Sequence, residues 1–158
     1  MTLPSLDVLS VKIPVSDLSV SRPWYARVFG LREEMEWPDE DGVVRGVGFS
    51  GLGQVTLALR EHPAAAAAVG RFGFLNVVVP READLASCAE HLDALGISHT
   101  PVLSAARGRL VGFHDPDGHE LSFYAQTQDE GVRPDAVRTV RSMGAADHDA
   151  SPAGTVAP

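Results

Sequence analysis

The sequence predicts an α+β domain built from two βαβββ modules, and three observations carry that prediction. The first is an internal duplication: LSVKIPVSDLSVSRPWYARVFGL from Leu9 is echoed by GFLNVVVPREADLASCAEHLDALGI from Gly73. Val15 falls opposite Val79 and Gly30 opposite Gly96, a spacing of about 65 residues, which suits a whole βαβββ unit rather than a solenoid repeat. The second is the change of apolar period, from two in the strand-like runs to that of a helix in the segments that follow. The third is Asp115-Pro116-Asp117-Gly118, where Pro presets φ and Gly permits a left-handed exit, so it reads as a hairpin turn. A domain of two such halves can join them around one concave site, so a pocket is the first place to look for function.

Each element follows in order. Residues 7–15 are β-branched and alternating, as in a strand with one face under a helix and the other toward a cavity. Asp17 or Ser19 can cap the next helix, whose Val20, Trp24, Tyr25, Val28 and Phe29 form an apolar stripe ending at Gly30. Pro23 fits only a first turn, so the helix proper is expected to begin near Ser21. Strands are expected over 32–37, 43–50 and 54–60, separated by PDEDG and GLG turns. After an alanine-rich linker that can hold a short helix, the second half repeats the order: strand 72–79, helix 82–95, and strands 100–104, 109–114 and 120–125. Leu85, Cys88, Ala89, Leu92 and Leu95 would share one face of that helix. Residues 134–143 are expected to form one helical segment of an otherwise polar, flexible tail.

Composition narrows the function classes. With 158 residues, 44% of them hydrophobic, the chain can bury one substantial core without a disulfide. A net charge of −8, with 13 scattered Lys and Arg, argues against nucleic-acid or anionic-membrane partners, which require a concentrated basic surface. Cys88 stands alone on the core face of the second helix and reads as a buried structural thiol. No basic leader followed by an apolar run is seen, and no segment approaches a membrane span, so a cytoplasmic location is expected.

WYARVFGL in the first helix and GFHDPDGHELSFY at the end of the second half resemble the vicinal oxygen chelate superfamily, over roughly residues 6–126. That group includes glyoxalase I, extradiol dioxygenases, fosfomycin-modifying enzymes and bleomycin-resistance binding proteins. The resemblance implies two βαβββ modules forming a cup-like, eight-stranded mixed sheet, usually in a homodimer. It places module one at 6–60, a linker at 61–71 and module two at 72–126, making one domain over 1–126 with the tail at 127–158. In the enzymes it implies a divalent metal in the cup, held by the first and last strands of each half and acting as a Lewis acid on two adjacent substrate oxygens.

Carried over residue by residue, the implied ligand positions fall on Ser10, Phe74, Thr56 and Ser122, none of which is a strong donor to a divalent ion. Strand alternation puts Glu120 and Tyr124 on the face of Ser122, Lys12 on that of Ser10, and Asn76 on that of Phe74. Ser10, Lys12, Thr56, Phe74, Asn76, Glu120, Ser122 and Tyr124 are therefore the candidate ligand-binding walls, with Lys12 and Glu120 the candidate catalytic pair and no metal ligands assigned. Lys12 and Glu120 equally suit a purely structural ion pair. His62, His91, His99 and His148 share no spacing and read as solvated surface, while His114 and His119 bracket the hairpin and order it or line its rim. Trp37, with Met35, suits core or interface packing or a stacking surface for a flat ligand. Arg45, Arg60 and Arg109 would favour an anionic ligand wherever they face inward.

Three functions remain distinct. The favoured one is a cofactor-free protein that binds a small organic molecule or natural product in a metal-free cup, as the bleomycin-resistance branch does. The second is a lyase or dioxygenase with a divalent metal displaced to Glu120, helped by His119 or His114. The third is a metal-free isomerase, epimerase or cyclase that uses Lys12 and Glu120 as acid and base.

Overall fold

The computed structural model describes residues 8–127. Eight strands and three helices alternate as two modules: β1 (Ser10–Val15), α1 (Leu18–Phe29), β2 (Arg32–Pro38), β3 (Val44–Gly51), β4 (Gly53–Glu61); then α2 (Pro63–Val69) as connector; then β5 (Gly73–Val78), α3 (Asp84–Ala94), β6 (Leu103–Ala105), β7 (Gly108–His114) and β8 (Glu120–Gln126). The expected tail helix and His148 lie outside the described residues. Among the described residues, no helix is long and apolar enough to cross a membrane.

The α+β, duplicated βαβββ architecture is as predicted, with its hydrogen bonding divided into two four-stranded sheets, β1-β4-β3-β2 and β5-β8-β7-β6. In each, the first strand of the module pairs parallel with the last and the remaining pairs are antiparallel. Among the described residues one chain thus forms no ladder between modules, and β1 and β5 are both edge strands.

Alternation decides the faces. Ile13 and Val15 of β1, Val47 and Phe49 of β3, and Leu57 and Leu59 of β4 are buried; Val111 and Phe113 of β7 and Leu121 and Phe123 of β8 are buried likewise. All join one core with Tyr25 and Val28 of α1 and Leu85 and Leu92 of α3. Helix α1 lies between the sheets, with the Trp24 and Phe29 rings packed at a tilt against Phe113 and Phe29 edge-on to Phe123. Both sheets therefore turn their apolar faces to a shared interior, and their other faces look outward.

Helix α1 begins earlier than Pro23 suggests. Asp17 caps it, with Oδ1 accepting from the Ser19 amide at 2.8 Å, and Pro23 sits inside the helix. The hydrogen bond Pro23 removes is one to the Ser19 carbonyl, and both residues are exposed, so water can replace it. This start also turns Val20 out to solvent, leaving Leu18, Ser21, Tyr25 and Val28 as the buried face. Gly30 closes the helix in the left-handed region at φ 62, returning its amide to the Ala26 carbonyl. In the second module β6 is shorter than expected, with only an isolated bridge from His99 to Phe113 ahead of it.

Candidate functional site

The junction between modules is pinned by a buried polar cluster on the Asp-Pro-Asp-Gly hairpin. Tyr25 Oη donates to Asp115 Oδ2 at 2.7 Å; Asp115 Oδ1 accepts from the amides of Asp117 and His119 at 2.9 and 2.8 Å. His119 is fully buried, with Nδ1 3.0 Å from Asp115 Oδ2 and Nε2 donating to the Ala66 carbonyl at 3.1 Å. Asp117 Oδ2 accepts from the Ser16 amide at 3.0 Å. Burial, reinforced by the Asp115 carboxylate, pushes the Tyr25 phenol far above its ordinary value, so it stays a donor. Asp115, Asp117 and His119 bring a metal-type donor set together. Their facing atoms are already taken by Tyr25, Ala66, Ser16 and local amides, and the cluster's work is to tie module one and α2 to module two.

The outer face of module one is different. Register places Lys12 opposite Ala58, Ala58 opposite Gly48, Arg60 opposite Gly46 and Gly46 opposite Trp37. A methyl on Gly46 would stand 3.1 Å from the Trp37 ring, and one on Gly48 2.9 Å from it, so the indole lies down on the bare backbone of β3. Lys12, Trp37, Ala58 and Arg60 line a hollow of about 350 Å³ here. Ser10 and Thr56 face each other farther along the same surface.

On module two, Asn76 pairs with Ser122, Gly112 with Ser122 and His114 with Glu120, so all share the outer face with Tyr124. Ser122 Oγ donates to Asn76 Oδ1 at 2.6 Å, and Tyr124 Oη accepts from the Arg107 amide at 3.1 Å. His114 Nε2 is buried with no hydrogen-bond partner among the described residues. Phe74 departs from the alternation that would align it with Asn76. The ladder shifts register between Gly73 and Leu75, and the Phe74 ring packs edge-on to His119 at 5.4 Å against the core. No ion pair joins Lys12 to Glu120; the two stand on the outer faces of different sheets.

Among solved structures, the chain resembles TnmS3, an antibiotic binding protein from Streptomyces sp. CB03234, at TM-score 0.63 and 21% identity over 80% of this chain and 100% of that one. It also resembles lactoylglutathione lyase from Agrobacterium tumefaciens (TM-score 0.62, 20% identity, 78% and 96% covered) and the fosfomycin resistance protein FosX from Listeria monocytogenes (0.56, 17%, 80% and 97%). These likenesses establish the fold. No curated protein matches. The sequence profile of the Glyoxalase/Bleomycin resistance protein/Dioxygenase superfamily matches residues 7–123. The chain belongs to that superfamily.

The metal that the superfamily implies can be tested against the donors present. Ser10 and Thr56 offer neutral hydroxyls, the Ser122 hydroxyl is engaged with Asn76, and Phe74 offers no donor at all. His114 and Glu120 are cross-strand neighbours, but no third His, Cys or carboxylate joins them among the described residues. His119, sequestered in the core with both nitrogens in contact, cannot assist Glu120. The described residues of one chain do not fit a divalent ion in the cup.

The remaining histidines do more than face solvent. His62 Nδ1 accepts from the Ala65 amide as the N-cap of α2, His91 Nε2 donates to the Val28 carbonyl at the end of α1, and His99 approaches Asp93. Cys88 is only half buried, and burial raises its thiol pKa, which keeps it protonated and inert. Arg45 pairs with Asp39 and Glu61, and Arg109 with Glu82 beside α3, so only Arg60 of the three reaches the module-one hollow. The Gly-x-Gly of β3 was the overlooked signal: two glycines at strand spacing opposite a tryptophan mark a close approach of ring to backbone.

Proposed function

We propose that the chain is a metal-independent small-molecule binding protein of its superfamily, holding its guest on the outer faces of the two sheets, with a second copy closing the cup. One observation carries the reading: the positions to which the family likeness assigns metal ligands hold Ser10, Thr56, Phe74 and Ser122, and the last two are already committed to His119 and Asn76. The likeness to the antibiotic binding protein TnmS3 agrees with it. The second copy is supported by the edges β1 and β5, beside which Leu9, Phe72 and Val78 are 82%, 68% and 61% exposed. Aligning β1 of one copy with β5 of another would complete an eight-stranded sheet and bring Lys12 and Glu120 into one cup.

The test is elemental analysis of the full chain after incubation with zinc, nickel and ferrous iron, paired with calorimetric titration of polycyclic and glycopeptide natural products and with sedimentation velocity. Expected are less than stoichiometric metal, binding without turnover, and a dimer. Stoichiometric metal that is lost in Glu120→Gln would overturn the reading.

An acid–base reading draws on a different observation, the unpartnered His114 Nε2 on the strand beside Glu120. Product analysis decides it. Turnover abolished by Glu120→Gln or Lys12→Met, with binding retained, would replace the binding function by an isomerase or cyclase activity.

A further inference from the structure

We infer that the hollow on the outer face of module one selects a planar aromatic anion, a fused-ring carboxylate, sulfonate or phenolate that stacks on Trp37 and places its charge between Lys12 and Arg60. This rests on the proposed binding function and names its ligand class.

The shape comes from the sheet lattice. Across the four strands the row runs Lys12 on β1, Ala58 on β4, Gly48 on β3, and Met35 and Trp37 on β2. A methyl and a hydrogen occupy the middle of that row, which lets the indole lie down over β3; Ala58, Gly46 and Gly48 are buried, so the ring itself is the flat surface a guest meets. The ring therefore reaches from β2 over β3, toward Lys12 and Arg60, which line the same hollow. The indole presents one face to β3, where a methyl on Gly46 or Gly48 would collide with it, and leaves the other face for a guest.

The charge comes from the walls. Lys12 is exposed and makes no ion pair or hydrogen bond among the described residues. Arg60 has one distant neighbour, Asp39 at 4.0 Å, and that carboxylate is already held by Arg45 at 2.9 Å. Among the described residues, no acidic side chain lines the hollow. In a chain of net charge −8, two lightly countered cations beside an aromatic plane form a local exception to the surface charge. A cationic guest would meet like charge there, and a neutral one would leave Lys12 and Arg60 to water.

The experiment titrates anthracenecarboxylate into the full chain while tryptophan fluorescence and heat are followed, with anthracenemethanol as the neutral planar control and cyclohexanecarboxylate as the non-planar anion. The planar anion is expected to bind more tightly than either control by about tenfold or more. Lys12→Met, at an exposed position that leaves the thermal midpoint unchanged, is expected to weaken the anion about tenfold and spare the neutral probe. Trp37→Phe should remove most of the quenching, since Trp24 is packed against the core. Gly48→Ala, which lifts the indole, should weaken both planar probes.

The inference is overturned if no anthracene probe binds, if the neutral probe binds as well as the anion, or if Lys12→Met and Trp37→Phe change nothing. A guest whose binding is lost in Asn76→Ala or Tyr124→Ala but not in the module-one variants would preserve the binding function and remove this assignment. Stoichiometric metal alongside the predicted variant effects would do the reverse.

Discussion

The two outer faces of this molecule stand on sheets of the same strand order and the same mix of parallel and antiparallel pairs, yet they are built in opposite ways. Module one keeps the centre of its sheet free of large side chains, so that Trp37 lies over Gly46 and Gly48, with Ala58 and two cations lining the same hollow. Module two fills its centre with polar groups that bond to one another, Ser122 to Asn76 and Tyr124 to the Arg107 amide. The shared backbone answers to the buried alternate residues, which leaves the outward ones free to differ between the modules. Stability should therefore be sensitive to module two and its hairpin, and ligand choice to module one.

The most damaging change on this view is Asp115→Ala. It deprives the Tyr25 hydroxyl, the His119 ring and two backbone amides of their shared acceptor inside the core. A loss of about 3–5 kcal/mol is expected in urea unfolding. Should the cost prove under ~1 kcal/mol, the hairpin cluster does not hold the modules together. Next comes pH. Because burial raises the Tyr25 phenol in the folded chain, stability is full below the unfolded value of about 10 and declines as pH rises beyond it, where the unfolded tyrosine ionises and the folded one does not. Tyr25→Phe should flatten that alkaline limb in thermal melts.

Ser122→Ala is expected to cost about 1 kcal/mol by removing the donor to Asn76. Lys12→Met, at the module-one position that answers to Asn76, should leave the urea midpoint where it was. Equal effects at the two positions would erase the contrast between the faces. The smallest effect belongs to Arg22, which binds Glu33 and, at 2.6 Å, Glu36 on the exposed side of module one. Hydrogen bonding to Arg22 lowers the Glu33 pKa, so its contribution is present above the ordinary glutamate range and is lost as pH falls through the lowered value. Solvent screening limits Arg22→Met to less than about 1 kcal/mol, and added salt should shrink even that.

How far the site was legible varies by residue. Glu120, Ser122 and Tyr124 could be grouped because strand parity is a local property, and the observed ladder puts them on one face with His114. Phe74 could not, because a bulge at the start of β5 shifts the register there, and bulges leave little trace in a short apolar run. The facing of Arg60 against Arg45 and Arg109 needed the partners Asp39, Glu61 and Glu82, which approach from other elements. Tyr25, Asp115 and His119 are 90 and 4 residues apart along the chain, and nothing local marks a tyrosine as bound for a distant turn.

From the linear chain alone come the duplication, the order of strands and helices, and the hairpin, because each is written in side-chain periodicity and in the φ preferences of Pro and Gly over a few residues. The absence of imidazole and carboxylate at the family's ligand positions is equally a matter of counting along the chain. Tertiary structure alone decided that the apolar faces of both sheets share one interior, that the outer faces therefore look away from it, and that Lys12 and Glu120 do not meet within a chain. The physical reason is that periodicity states which side of a strand is buried, whereas the packing of α1 between the sheets determines against what.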